Sequence, residues 1–405
     1  MTPIAIKKLI VNKNMKHYNF DEVIERHGTS CVKFDRLKEM FGDENLIPLW
    51  VADMDFRTPD FIVEALKKRC EHEIFGYTFG SDEYYESIIN WVHYKHNWKI
   101  QREWISYIPG IVKGIAFAIQ CFTQKGDKIM VMPPVYHPFF LVTQKNEREV
   151  VFSPLVLKDE QYYIDFNRFR QDIQGCKLLI LSNPHNPGGR VWTKEELSQI
   201  ADICYESGTL VISDEIHADL TLPPYKHPTF ALISEKARMN SLVFMSPSKV
   251  FNMPGLASSY AIIENDELRH RFQTYMEASE FSEGHLFAYL SVAAAYSHGT
   301  EWLDQVVAYI KGNVDFTETY LKEHIPAIKM IRPQASYLIF LDCRALGLNQ
   351  EELNRLFVED AHLALNDGTT FGKEGEGFMR LNVACPRATL EKALKQLEQA
   401  VMDLK

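Results

Sequence analysis

Residues 209–217 read Thr-Leu-Val-Ile-Ser-Asp-Glu-Ile-His. The run Thr209–Ser213 is short, apolar and rich in β-branched residues, which predicts a strand; two acids, Asp214 and Glu215, stand directly behind it. Upstream, Thr193–Ser207 has helical spacing and opens on a capping box of Thr193 and Glu196. Downstream, a second apolar run, Leu242–Met245, leads into Ser246-Pro247-Ser248-Lys249. Strand and helix in alternation require crossover connections, and therefore a mostly parallel sheet covered on both faces. The same pattern extends outward. Ile105–Ile108, Lys128–Met132, Lys177–Leu181 and Tyr260–Ile263 read as further strands, and Gly110 opens a helix through about Phe122.

The last hundred residues read differently. A long amphipathic helix over about Glu301–Glu323 is followed by a strand at Tyr337–Leu341 and a helix at Gln350–Glu359. A strand at Phe378–Asn382 and a closing helix from about Thr389 complete a smaller α+β domain. The expected organisation is an N-terminal extension (1–14), a segment packing with the small domain (15–50), a large domain (51–295) and the small C-terminal domain (296–405).

The chain has 405 residues, 46% of them apolar and 24% charged, which excludes disordered and fibrous classes. With 44 Lys plus Arg against 54 Asp plus Glu the formal net charge is −10, unfavourable for nucleic acid. The seven cysteines are scattered. Cys176 and Cys204, the closest pair, stand 28 positions apart, so there is no CxxC metal or redox motif. No metal site is expected, no apolar run approaches the ~20 residues of a membrane span, and the thiols suit a cytoplasm.

Several residues carry chemistry. Lys249 is predicted at the carboxyl end of a strand, where open α/β sheets place ligands. In a dry setting it could serve as a Schiff-base former, although most lysines are solvated surface groups. Asp214 could pair with a protonated heterocycle or merely cap the next turn; Glu215 is the competing acid, and His217 lies within reach of the same ligand. Asn186 stands in a turn, Asn183-Pro184-His185-Asn186-Pro187-Gly188-Gly189, where its amide could meet a ring oxygen. The N–H groups of Gly110, Ile111 and Val112, at a helix N-terminus, could hold a phosphate. Tyr136 could stack on a flat ring or fill core. Arg380, inside the apolar strand Phe378–Asn382, is costly unless it meets an anion, and its fork suits a carboxylate.

The order Gly110, Tyr136, Asn186, Asp214, Lys249, Arg380 resembles the fold-type I pyridoxal 5′-phosphate (PLP) enzymes, the aspartate aminotransferase superfamily. Asp214 follows Asn186 by 28 residues and precedes Lys249 by 35. Within that superfamily, five segments are similar to the MalY/PatB branch of cystathionine β-lyases and cysteine-S-conjugate C–S lyases. They are Phe20-Asp21 with Arg26-His27-Gly28-Thr29, Trp50 through Phe56, Phe75-Gly76-Tyr77, Ser213 through His217, and Ser248-Lys249-Val250-Phe251-Asn252. The resemblance runs from about Met15 to the C-terminus. It implies the aspartate aminotransferase-like α/β fold and a PLP-dependent homodimer with active sites at the subunit interface.

Carried over, the resemblance makes Lys249 the cofactor-binding lysine and proton shuttle, and Asp214 the partner of the pyridine nitrogen. Asn186 would meet the phenolic oxygen, with His217 nearby, and Tyr136 would stack on the ring. Ser246, Ser248, Ile111 and Val112 would hold the phosphate, joined by Tyr77 from the neighbouring subunit. Arg380 would bind the substrate α-carboxylate, and Trp50 and Ala52 would line the substrate side. Three departures from common aminotransferases stand out: His217 in place of a tyrosine, Ala257 in place of a phosphate-gripping arginine, and Gly188 in place of a threonine. The implied reaction is β-elimination from cystathionine or a related cysteine thioether, giving a thiol, pyruvate and ammonia. A class I/II aminotransferase is the alternative. A PLP-binding regulatory or interaction protein is a third reading, without a DNA-binding module in the first fifty residues.

Overall fold

The computed structural model describes residues 16–404; the expected extension 1–14 lies outside them. A seven-stranded sheet forms the centre. Its strands are β1 (Ile105–Ile108), β2 (Lys128–Val131), β3 (Glu149–Phe152), β4 (Cys176–Ser182), β5 (Leu210–Asp214), β6 (Ser241–Met245) and β7 (Ser259–Ile262). They lie in the order β1-β7-β6-β5-β4-β2-β3. The pairs from β6 through β3 are all parallel, and β7 alone runs antiparallel to both of its neighbours. The inner strands are apolar and buried along nearly their whole length, as expected of parallel strands packed on both faces.

Helices cover this sheet. Those that matter for the site are α1 (Ile111–Phe122), α2 (Lys194–Glu206) and α3 (Leu286–His298). The capping box expected for α2 is present: the Thr193 hydroxyl accepts from the Glu196 N–H, and the Glu196 carboxylate accepts from the Thr193 N–H. Helix α1 starts one residue after Gly110, whose φ of +141° favours glycine.

The C-terminal region holds α4 (Thr300–His324) and a four-stranded antiparallel sheet of β8 (Lys329–Ile331), β9 (Leu338–Asp342), β10 (Asn366–Asp367) and β11 (Phe378–Asn382). Their order is β8-β9-β11-β10. The helix expected over Gln350–Glu359 is α-helical only to Arg355 and widens into a π turn at Leu356–Asp360. The wider turn accompanies burial of two consecutive apolar residues, Leu356 and Phe357. The closing helix begins at Arg387, two residues before the expected start, with Pro386 ahead of it supplying a preset φ.

The N-terminal segment is stitched to the C-terminal sheet. Ile47–Pro48 pairs in parallel with Leu363–Ala364. Asn382 N–H donates to the Leu49 carbonyl at 2.9 Å, and its side-chain amide donates to the carbonyls of Val51 and Asp53 at 2.8 and 2.7 Å. One apolar cluster runs from Phe20 and Met54 through α3 and α4 to Leu397. Residues 47–55 thus pass between the two sheets, which carries Ala52 to the large sheet's ligand edge.

Candidate active site

Register brings the site together. Ser182, Asp214 and Phe244 are direct neighbours across β4, β5 and β6, so the loops leaving these strands emerge side by side. They carry Asn186, Ile216 with His217, and Ser248 with Lys249. The edge strand β1 ends beside them at Ile108, which pairs with Ser259 of antiparallel β7, so β7 begins where its neighbours finish. A cavity of about 300 Å³ lies at this edge. Ile111, Val112, Tyr136, Asn186, Asp214, His217, Ser248, Lys249 and Ala52 all border it.

Lys249 Nζ donates to the Ala52 carbonyl at 2.6 Å. Burial pulls its pKa down to about 8; Arg380 acts in the same direction, and Asp53 and Asp214 oppose them. The amine is therefore partly neutral in mildly alkaline water. Asp214 accepts the Ile216 N–H at 3.0 Å, and burial pushes its carboxyl up to about 7. His217 is pushed down to about 3, first by burial and then by Lys249 and Arg380, so its ring is neutral.

The two adjacent acids are not equivalent. Glu215 turns away from the cavity and is saturated. It accepts from Ser213 Oγ at 3.0 Å, from Phe230 N–H at 2.9 Å and from Asn183 Nδ2 at 3.3 Å, and it pairs with His227 Nε2 at 2.6 Å. Asp214 has one backbone donor and faces the open space. Only Asp214 has acceptor capacity left for a ligand.

Arg380 stands behind Asn186, which borders this space. It is 4% exposed, and its Nη atoms donate to the Trp50 carbonyl at 2.9 Å, Asn366 Oδ1 at 2.6 Å and Asn186 Oδ1 at 3.3 Å. The Phe371 ring covers it, with the guanidinium carbon 4.8 Å from the ring centre. All three acceptors are uncharged, Nε has no partner among the described residues, and burial lowers the pKa to about 10. A buried guanidinium without a carboxylate suits an incoming anion. Asn366 sits directly opposite Arg380 across β10 and β11, a pairing that the strand pattern alone did not reveal.

Three expected residues stand back. Ser246 does not border the cavity; its hydroxyl donates to the Ser258 carbonyl at 3.1 Å, lies 2.9 Å from Ser248 Oγ and accepts the Ser248 N–H at 3.1 Å, fixing the loop from behind. The Trp50 indole packs edge-on to Phe41 and donates to the Lys33 carbonyl at 2.9 Å, so Trp50 reaches Arg380 only through its own carbonyl. Tyr77 lies outside the cavity and is fully exposed. Ser258, Ser259, Tyr337 and Phe371 were missed by the sequence reading. The serines sit at the site because β7 is reversed, and strand direction leaves no mark in composition.

Three of the sequence segments singled out above converge on residues 52–56. Arg26 pairs with Asp53 at 2.7 Å and Asp55 at 2.6 Å, and the fully buried Lys33 pairs with Asp55 at 2.8 Å. Asn252, three residues after Lys249, donates to the Met54 and Phe56 carbonyls at 2.9 and 2.7 Å and accepts the Met54 N–H at 3.0 Å. Tyr337 donates to the Ala52 carbonyl at 3.0 Å. This network holds the carbonyl that receives Lys249.

The raised Asp214 pKa has a thermodynamic consequence. The unfolded chain releases this proton near its ordinary value of 3.8 and the folded protein near 7. The stability it contributes is full below about pH 4 and is lost as pH rises through 7. In ligand-free protein, the wild type should lose on the order of 3–4 kcal/mol between those limits relative to Asp214→Asn. Buried His217, held neutral, acts in the opposite direction in both proteins and cancels in the comparison. Parallel urea-derived stability curves for the two proteins would place the carboxyl in contact with water.

The residues fit PLP. A partly neutral amine, a buried acid with spare acceptor capacity, unpaired N–H groups at the start of α1 beside the open space at Gly110, and the Ser248 hydroxyl all border one cavity. Among the described residues no cluster of His, Cys, Asp and Glu is arranged to hold a metal.

Comparison with known proteins agrees. Residues 44–397 match the family "Aminotransferase class I and II". The chain is 42% identical over 385 residues to cystathionine beta-lyase PatB of Bacillus subtilis, covering 95% of this chain and 100% of that protein. It is 33% identical over 388 residues to protein MalY of Escherichia coli, covering 95% and 99%. The solved PLP-bound C–S lyase of Staphylococcus hominis superposes with a TM-score of 0.88 at 32% identity, covering 95% and 98%. The chain belongs to the aminotransferase class I and II family, in its MalY/PatB branch.

Proposed function

We propose that this protein is a PLP-dependent carbon–sulfur β-lyase that cleaves cystathionine or related cysteine thioethers to a thiol, pyruvate and ammonia. The observation that carries the reading is Lys249 and Asp214 at one cavity, with Arg380, bonded to no carboxylate among the described residues, held behind the cavity's Asn186, in a chain 42% identical to a cystathionine β-lyase.

When bound, PLP supplies an electron-accepting ring that stabilises negative charge at the substrate Cα. Lys249, partly unprotonated, would hold the cofactor through its amine, and would take the Cα proton and deliver it to the departing sulfur. Asp214 keeps a proton on the ring nitrogen. Arg380 clamps the α-carboxylate, exchanging its amide acceptors for a charged one. The α1 N–H groups of Ile111 and Val112 and the Ser248 hydroxyl hold the phosphate, with Ser246 bracing Ser248. Tyr136, Asn186 and neutral His217, which border the same cavity, would hold the ring. Ala257 offers no charge, so phosphate binding rests on these neutral donors.

Arg380→Lys keeps the charge and loses the fork. Its kcat/KM should fall about 10²-fold for every amino-acid substrate, whatever the leaving group, mainly through KM. A loss confined to one leaving group would place Arg380 on the distal side chain instead.

The decisive assay measures pyruvate and thiol release from cystathionine and S-alkylcysteines, and separately glutamate from common amino acids with 2-oxoglutarate. Stoichiometric glutamate with little pyruvate would favour the aminotransferase.

The working form is read as a homodimer. Exposed Ile74, Phe75, Tyr77 and Phe79 form an apolar stretch that suits a second copy, bringing Tyr77 to the partner's phosphate site. The seven free thiols support a cytoplasmic setting, and the substrate is a small amino-acid thioether rather than nucleic acid or membrane. Among the described residues no helix is long and apolar enough to cross a membrane. The proposed domains are 15–50, 51–295 and 296–405, the last boundary falling inside the final turn of α3 (Leu286–His298).

A further inference from the structure

Strand β10 is only two residues long, an amide followed by an acid, and its register against β11 decides which of them meets Arg380. Asn366 stands opposite Arg380 and Asp367 opposite Met379. Successive strand residues point to opposite faces, so the amide goes to the guanidinium and the carboxylate goes elsewhere. Asn366 Oδ1 accepts from Arg380 Nη2 at 2.6 Å. Asp367 is held by other partners. Its Oδ1 accepts from Gln350 Nε2 at 2.8 Å and from the Thr369 N–H and hydroxyl, each at 2.7 Å; its Oδ2 accepts from Asn354 Nδ2 at 2.6 Å. A slip of one residue would set the Asp367 carboxylate against Arg380.

The rest of the guanidinium's surroundings are neutral as well. Phe340 stands opposite Arg380 on the other side, in β9, and Phe371 covers it. The Trp50 carbonyl and Asn186 Oδ1 are its remaining acceptors. Tyr136 and Tyr337 are the acidic groups that act on it, and burial raises both phenols, so they stay protonated. A buried cation without a counter-ion is unfavourable for the free fold and favourable for an arriving carboxylate. We propose that Asn366 is a positioning and specificity-determining residue. Its neutral oxygen fixes one Nη of Arg380 and leaves the guanidinium's charge for the substrate α-carboxylate. The inference rests on the function proposed above, in which Arg380 takes that carboxylate, and adds the residue that makes the site select free acids.

Asn366→Asp is isosteric and sets a carboxylate where the amide stood; Asn366→Ala removes the acceptor without adding charge. Both are compared with wild type on S-ethyl-L-cysteine and on its α-carboxamide, by ethanethiol release with the PLP-loaded enzyme. Asn366→Asp should raise KM for the free acid about 10²-fold with kcat within a few-fold, and should leave the carboxamide within a few-fold. Asn366→Ala should raise the free acid's KM only about tenfold. Ligand-free Asn366→Asp should unfold at a higher urea concentration than wild type, because Arg380 gains a counter-ion. An alanine variant as impaired as the aspartate variant would reduce Asn366 to packing and overturn the proposal. Equal losses on acid and carboxamide, or a urea midpoint for Asn366→Asp at or below that of wild type, would do the same. No thiol from S-ethylcysteine with the wild type would instead remove the lyase reading; the urea comparison, which needs no turnover, would still decide whether Asn366 keeps Arg380 unpaired.

Discussion

Lys249→Ala should lower kcat/KM by about 10⁴-fold or more while leaving a folded protein. A positioned general base alone contributes roughly 10²–10⁴-fold, and this amine is also the nucleophile toward the cofactor. Its single hydrogen bond goes to the Ala52 carbonyl, which keeps Tyr337 as a donor, so little of the fold depends on it. Thermal unfolding should remain cooperative. Added methylamine should restore part of the rate, because a small free base can enter the space that the side chain leaves. Borohydride treatment of the loaded wild type should attach the cofactor to the peptide carrying Lys249. Attachment to another lysine, or activity in the alanine variant within tenfold of wild type, would sink the assignment.

The second large effect separates two neighbours. Asp214→Asn should retain cofactor but lower kcat by about 10²–10³-fold, the cost of removing one preorganised charge aimed at the reacting system. Glu215→Gln should behave in the reverse way. Its carboxylate accepts from Ser213, Asn183 and Phe230 and pairs with His227, all away from the cavity. Neutralising it weakens charge-assisted hydrogen bonds worth about 1.5–3 kcal/mol each, so Tm should fall while kcat in the surviving protein stays within a few-fold. If Glu215→Gln lost turnover and Asp214→Asn did not, the ring-nitrogen role would belong to Glu215.

These contrasts mark how far residue order carries. The capping box at Thr193 and Glu196, the apolar runs of β4, β5 and β6, and the glycine that opens α1 were legible because each depends on neighbours within a few positions. Element ends differ from the sequence reading by one residue at β5, β6 and β7, where ladder bonds to another strand set the limit. The π turn at Leu356–Asp360 was not legible, since the demand for two adjacent buried residues comes from what packs against them.

The sequence by itself determined the fold class, the family and the cofactor chemistry. Alternating strand and helix periods dictate a parallel sheet, and strand-end residues of a parallel sheet share one edge. Asp214, Lys249 and Asn186 therefore had to meet there. Tertiary structure alone decided which of two adjacent acids faces the cavity, because strand-end geometry and the partners Asn183, Phe230 and His227 come from other parts of the chain. It placed Ser258 and Ser259 at the site through the reversal of β7, and set Ser246 behind Ser248. It also showed why segments around Arg26, Asp53 and Asn252 accompany one another: they hold the Ala52 carbonyl against Lys249. Such choices rest on contacts between residues tens to hundreds of positions apart, and those distances exist only once the chain has folded.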